Sequence, residues 1–172
     1  MLIVIGIVIA FGLLLAYVRA VAWVRETQRT RFAFEDRDTY LYLWLDGPLG
    51  SGESAVVTMR TLREALRLKI SGAGYERLLV EASGLRIASA QAFQLLIGAL
   101  GPAMIDENVR LAVVCRRRTQ AEKRFRESEI LTPIPSIREG ERYLRSTEPR
   151  IRVLLDPKQL DSLLVPGQRR AA

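Results

Sequence analysis

Chemistry needs groups that titrate, coordinate or attack, and this chain of 172 residues holds few of them. It has no histidine, which removes the commonest general base and metal ligand and any Ser-His or Cys-His nucleophile pair. Cys115 is the one cysteine, so neither an intramolecular disulfide nor a thiolate zinc cluster can form. It closes the apolar run Leu111-Ala112-Val113-Val114, where it reads as a small buried hydrophobe. The glycines between Gly47 and Gly52 lack the lysine of a phosphate-cradling loop. Carboxylates fall on helix surfaces and in turns rather than in pairs. No enzymatic activity, metal or cofactor is therefore expected.

What remains are groups suited to binding. Ser89 precedes a helical segment, where its hydroxyl would accept a hydrogen bond from a backbone N–H of the first turn. Arg116, Arg117 and Arg118, with Lys123, Arg124 and Arg126, make a cationic cluster after a strand and along a helix. It is either a solvated surface or a contact for anionic lipid or an acidic partner. Nucleic acid is disfavoured, because only Phe125 is there to stack a base. Tyr40, Tyr42 and Trp44 alternate with Leu41, Leu43 and Leu45, so period two puts leucines on one face and aromatics on the other. The aromatic face is covered either by the tail residues Val153, Leu154 and Leu155 or by a partner.

The stretch that must position Ser89 runs from Glu76 to Leu100. Leu78-Leu79-Val80 reads as a buried strand, Ser83-Gly84 as a turn, and Ala92 to Leu100 as a helix apolar almost all round. Other elements fit around it. Phe32-Ala33-Phe34 and Thr39 to Leu45 form a hairpin about the charged turn Glu35-Asp36-Arg37-Asp38. A helix over Ser54–Ile70 presents Val57, Leu62, Leu66 and Ile70 as its core stripe and ends at the glycines before Tyr75. Gly101-Pro102 marks a kink, and Val109–Cys115 a second buried strand. Thr119 with Glu122, and Ser136 with Glu139, have capping-box spacing and open two further helices. Ile130-Leu131 begins a short strand stopped by Pro133 and Pro135. The order ββαβαβαβα predicts an α/β fold, a mainly parallel sheet with packed helices.

The N-terminus differs in kind. Leu2 to Val18 has no charged residue, and the apolar character runs on to Val24. As a helix this stretch would span about 35 Å, enough for a hydrocarbon core of roughly 30 Å. Arg19, Arg25, Arg29 and Arg31 follow it, which favours an uncleaved anchor over a signal peptide. The positive-inside bias then puts the N-terminus outside and the domain in the cytoplasm, the single-pass arrangement of a bacterial inner-membrane protein. Gly6/Ala10 and Gly12/Ala16 have the small-xxx-small spacing that lets helices approach, so a homo-oligomer is one arrangement the anchor allows. The net charge of +7 is an arginine excess that suits anionic lipid or an acidic partner. The expected organisation is a transmembrane helix over 1–24, a juxtamembrane linker over 25–31, a domain over 32–147 and an extension over 148–172 with a disordered end.

The run Gly84-Leu85-Arg86-Ile87-Ala88-Ser89-Ala90-Gln91-Ala92-Phe93-Gln94-Leu95-Leu96 resembles the central loop and helix of STAS domains, the small α/β modules of anti-sigma-factor antagonists and sulfate transporters. The element order and the passage Thr132 to Glu139 resemble that family too. The resemblance implies a protein-docking role in a membrane protein complex, centred on Ser89 and Gln91. It also puts Ser89 where regulatory members are phosphorylated, so a phosphorylation-switched antagonist is the alternative. Ala88 and Gly50 stand where that family carries acids. A third reading, an accessory subunit of a lipid-transport system, follows by analogy of fold.

Overall fold

The computed structural model describes residues 29–106, 108–128 and 130–146. The expected transmembrane helix, most of the linker and the C-terminal extension with Val153–Leu155 lie outside the described residues. Among the described residues, no helix is long and apolar enough to cross a membrane.

The elements follow the order β1 (Arg31–Arg37), β2 (Tyr40–Leu49), α1 (Glu53–Ala73), β3 (Arg77–Ile87), α2 (Ala90–Ile105), β4 (Arg110–Val114), α3 (Gln120–Ser128) and α4 (Ile137–Arg145). The four strands form one mixed sheet in the order β1-β2-β3-β4. β1 runs antiparallel to β2, while β2, β3 and β4 are parallel to one another.

Period two divides the sheet into two faces. Leu41, Leu43, Leu45, Leu78, Val80 and Val113 point to one side and pack with α1, α2 and α3. Tyr40, Tyr42, Leu79, Ala112 and Val114 point to the other and pack with Leu144 of α4. Gly140 lets α4 approach closely, since a Cβ there would lie 3.0 Å from Val114 Cγ2 and 3.1 Å from Leu79 Cδ1. Phe125 of α3 is fully buried and meets Phe93 of α2 edge to face, with ring centroids 5.0 Å apart.

Several expectations are corrected. The hairpin strands are longer than expected, with Glu35 to Arg37 inside β1 and only Asp38-Thr39 left as the turn. β3 passes straight through Ser83-Gly84, which is not a turn. An extra residue in β3 between Glu81 and Gly84 shifts the register past Trp44, so Asp46 faces Gly84, and Asp46 Oδ1 fills the space a Cβ at Gly84 would take. The fifth strand reduces to a bridge between Ile134 and Val114. Prolines 133 and 135 cannot donate, so only Ile134 contributes an N–H, to Val113 O at 2.8 Å, while its carbonyl accepts from Cys115 N at 2.9 Å. In α1 the buried stripe is Val56, Met59, Leu62, Leu66 and Ile70; Val57 is 56% exposed. The glycine stop holds, with Gly74 left-handed at φ 69° and its N–H donating to Ile70 O.

The stripe correction is directly testable. Val56→Ala should cost about 2 kcal/mol by cavity formation. Val57→Ala should change stability by less than about 0.5 kcal/mol, as exposed positions do. Urea unfolding of both variants measures the difference.

Candidate docking surface

Ser89 sits where the ends of β2 and β3 meet the start of α2. The Ala88 N–H donates to Leu49 O at 3.0 Å, which extends the β2–β3 ladder up to the helix. Ser89 is extended, at φ −152° and ψ 166°, and its Oγ accepts from Ala92 N at 3.1 Å. Its carbonyl accepts from Phe93 N. This is an N-cap, as expected from sequence. Behind it, Ala92, Phe93 and Leu95 to Gly101 are buried, so the first turns of α2 offer solvent only Ala90, Gln91 and Gln94. Ala88 is exposed beside them. Across the loop, Gly50 has open space where its Cβ would be, next to a shallow hollow of about 170 Å³ lined by Thr30, Pro48, Gly50, Gly52 and Ser54 among others. The exposed loop itself, Ala88 to Gln91, carries no charge, while Arg29 lines the neighbouring hollow.

The aromatic face is divided. Tyr40 and Tyr42 are buried, and α4 covers them; neither the tail nor a partner is needed for that. Tyr40 OH donates to Glu141 Oε1 at 2.5 Å and accepts from Arg37 Nη1 at 2.7 Å. Tyr42 OH donates to Glu81 Oε2. Burial, reinforced by the neighbouring carboxylate, raises both phenols above their ordinary pKa. Trp44, two positions further along, is 36% exposed.

The cationic cluster is also divided. Arg116, Arg117 and Arg118 are exposed at the end of β4. Lys123 and Arg124 pair with Glu127, and Arg126 pairs with Glu122, along α3. Glu122 N donates to Thr119 Oγ1, the first half of a capping box. The Glu122 carboxylate reaches Arg118 N at 2.6 Å instead of Thr119 N. It thereby steadies Arg118, which is left-handed at φ 66°. That backbone bond, ahead of Arg126, lowers the Glu122 pKa.

Cys115 is buried, and burial pushes its thiol up to about 12, far from a reactive thiolate. Among the described residues, no group of three or more His, Cys, Asp or Glu could hold a metal ion. Sequence reasoning missed Glu81 and Glu141 as partners of the buried tyrosines, and a cluster of Arg29, Arg31 and Arg86 about Asp46. A carboxylate inside an apolar strand, as Glu81 is, was the available signal.

No protein-family model and no curated protein matches the sequence. Among solved structures, the chain is similar to the crystal structure of an anti-sigma factor antagonist from Mycobacterium paratuberculosis, with a TM-score of 0.53 at 14% identity. The match covers 69% of this chain and 97% of that one. It supports, at the level of the fold, the STAS resemblance drawn from the Ser89 loop.

If Ser89 acts as a cap alone, Ser89→Ala should lose about 1 kcal/mol of stability. Ser89→Asp should lose little, because aspartate caps as well and its charge suits a helix N-terminus. Thermal unfolding of both variants would refute the cap if the two fell equally.

Proposed function

We propose that this chain is a non-enzymatic docking or scaffold subunit of a membrane protein complex, a STAS-like domain held to the inner membrane by residues 1–24. The observation that carries this reading is the Ser89 loop. Its hydroxyl is engaged in capping, no acid accompanies it, and Ala88, Ala90 and Gln91 stand exposed around it. Such a surface recognises a partner by shape and backbone complementarity rather than by chemistry. The similar solved structure is an anti-sigma factor antagonist, which agrees with a protein partner for this fold. The lack of histidine throughout the sequence supports a role without catalysis. Membrane attachment draws its support from the uncharged stretch Leu2–Val18 and the arginines after it.

The phosphorylation-switched alternative draws on the position of Ser89 at a helix N-terminus, where a phosphate would be stabilised. Against it stand Ala88 and Gly50, which leave the loop without carboxylates.

Tagged full-length chain, extracted in a non-ionic detergent, should copurify with a stoichiometric protein partner. Gln91→Arg should remove that partner while leaving the unfolding midpoint unchanged. A chain that purifies alone, or a partner indifferent to Gln91→Arg, contradicts the reading. Intact-protein mass of the same material distinguishes the switch, which requires a phosphorylated population in some growth state. Retention in the membrane fraction after an alkaline carbonate wash tests the tether separately.

A further inference from the structure

α4 covers only one end of its face of the sheet. Beyond Tyr42 that face continues through Trp44, 36% exposed, to Asp46, and here the surface changes character. A cleft of about 370 Å³ opens, lined by Arg29, Arg31, Asp46, Gly47, Gly84 and Arg86. The pairing explains how these residues meet: Asp46 lies opposite Arg31 on β1 and Gly84 on β3, with Arg86 two positions further on. Gly47, at φ 91°, lets the chain pass Arg29, whose carbonyl oxygen would be 2.7 Å from a Cβ there. Three arginines and one aspartate thus line a net positive cleft. Arg116 joins the same end, placed by its backbone N–H bond to Ser83 Oγ at 3.2 Å.

We propose that this open end of the sheet docks on anionic phospholipid headgroups, with a headgroup phosphate seated between Arg29, Arg31 and Arg86 and the Trp44 indole beside it. Guanidinium forks match phosphate oxygens in geometry and charge. An exposed indole suits the headgroup layer, where one end of the ring is wet and the other apolar. The chain itself argues for lipid over free phosphate. Arg29 is five residues after Val24, which closes the apolar stretch, so even a fully extended connection is roughly 18 Å at most. A bilayer that takes up this stretch holds its headgroups within reach of the cleft. To that extent the proposal rests on the tethered reading.

The test uses full-length chain in a neutral detergent, so it does not depend on the tether. Carrying Trp23→Phe to leave Trp44 as the one indole, it is titrated with short-chain phosphatidylglycerol, phosphatidylcholine or inorganic phosphate. Phosphatidylglycerol should bind saturably and change the Trp44 emission. Phosphatidylcholine should not reproduce this, and inorganic phosphate should bind more weakly. Arg29→Gln combined with Arg86→Gln should weaken phosphatidylglycerol binding at least about tenfold, as loss of charge-assisted contacts does, with an unchanged unfolding midpoint. Equal affinity in the double variant, or no saturable binding, overturns the cleft as the site. Inorganic phosphate binding as tightly as phosphatidylglycerol overturns the lipid assignment.

Discussion

The parallel pairing of β2 with β3 is the interaction on which the rest of the structure depends. From Leu41 opposite Leu78 to Leu49 opposite Ile87, the ladder joins the two longest strands through the middle of the sheet. Its first half is buried on both faces: Leu41, Leu43, Leu78, Leu79 and Val80 are all at most 1% exposed. Full burial of each such side chain contributes about 1.5–3 kcal/mol. Its second half is buried on one face only, by Leu45, Leu49, Leu85 and Ile87. The other face there is polar. The same ladder therefore carries Ser89 at its end, Trp44 at the border and Arg86 in the open part.

A second constraint fixes what lies over the first half. Two tyrosine hydroxyls enter the α4 side, and buried hydroxyls must be paired. Glu81 takes that of Tyr42 from the neighbouring strand, and Glu141 takes that of Tyr40 from α4 itself. Arg37 lies over the Tyr42 ring, 4.3 Å from its centroid, and bonds Tyr40. At the other end of α4, Arg110 Nη1 donates to the carbonyls of Tyr143 and Ser146 and lies over the Tyr143 ring. These directional contacts set the position of α4, and Gly140 sets its distance. Where α4 stops, the sheet is left to meet something else, and the residues it presents there are an indole, three arginines and Asp46.

Much of the fold was legible because apolar spacing alone carries it. The buried helix after Ser89, the Gly74 stop and the caps at Thr119 and Ser136 all lie where patterning placed them. Failures came where tertiary context decides. Val56 and Val57 are adjacent and chemically identical, so spacing could not say which faces in. Ser83-Gly84 has turn composition, yet it belongs to a bulge in β3 where glycine admits the Asp46 side chain from the neighbouring strand, a reason no local window contains. The aromatic face is visible in the strand's alternation, but spacing leaves its cover open between tail and partner, because Leu144, which packs on Tyr40 and Tyr42, lies far from them in sequence. The arginine cleft draws on three separate segments, and only strand register brings them together.

The central claim is that a protein partner docks on the Ser89 end of the molecule, and photo-crosslinking in living cells measures this most directly. A benzophenone amino acid at Gln91, on the exposed stripe of α2, should give a discrete crosslinked species with another protein. The same group at Thr39, exposed in the β1–β2 turn at the opposite end of the sheet, should give none. Crosslinks from Thr39 without crosslinks from Gln91, or silence at both, would contradict the account.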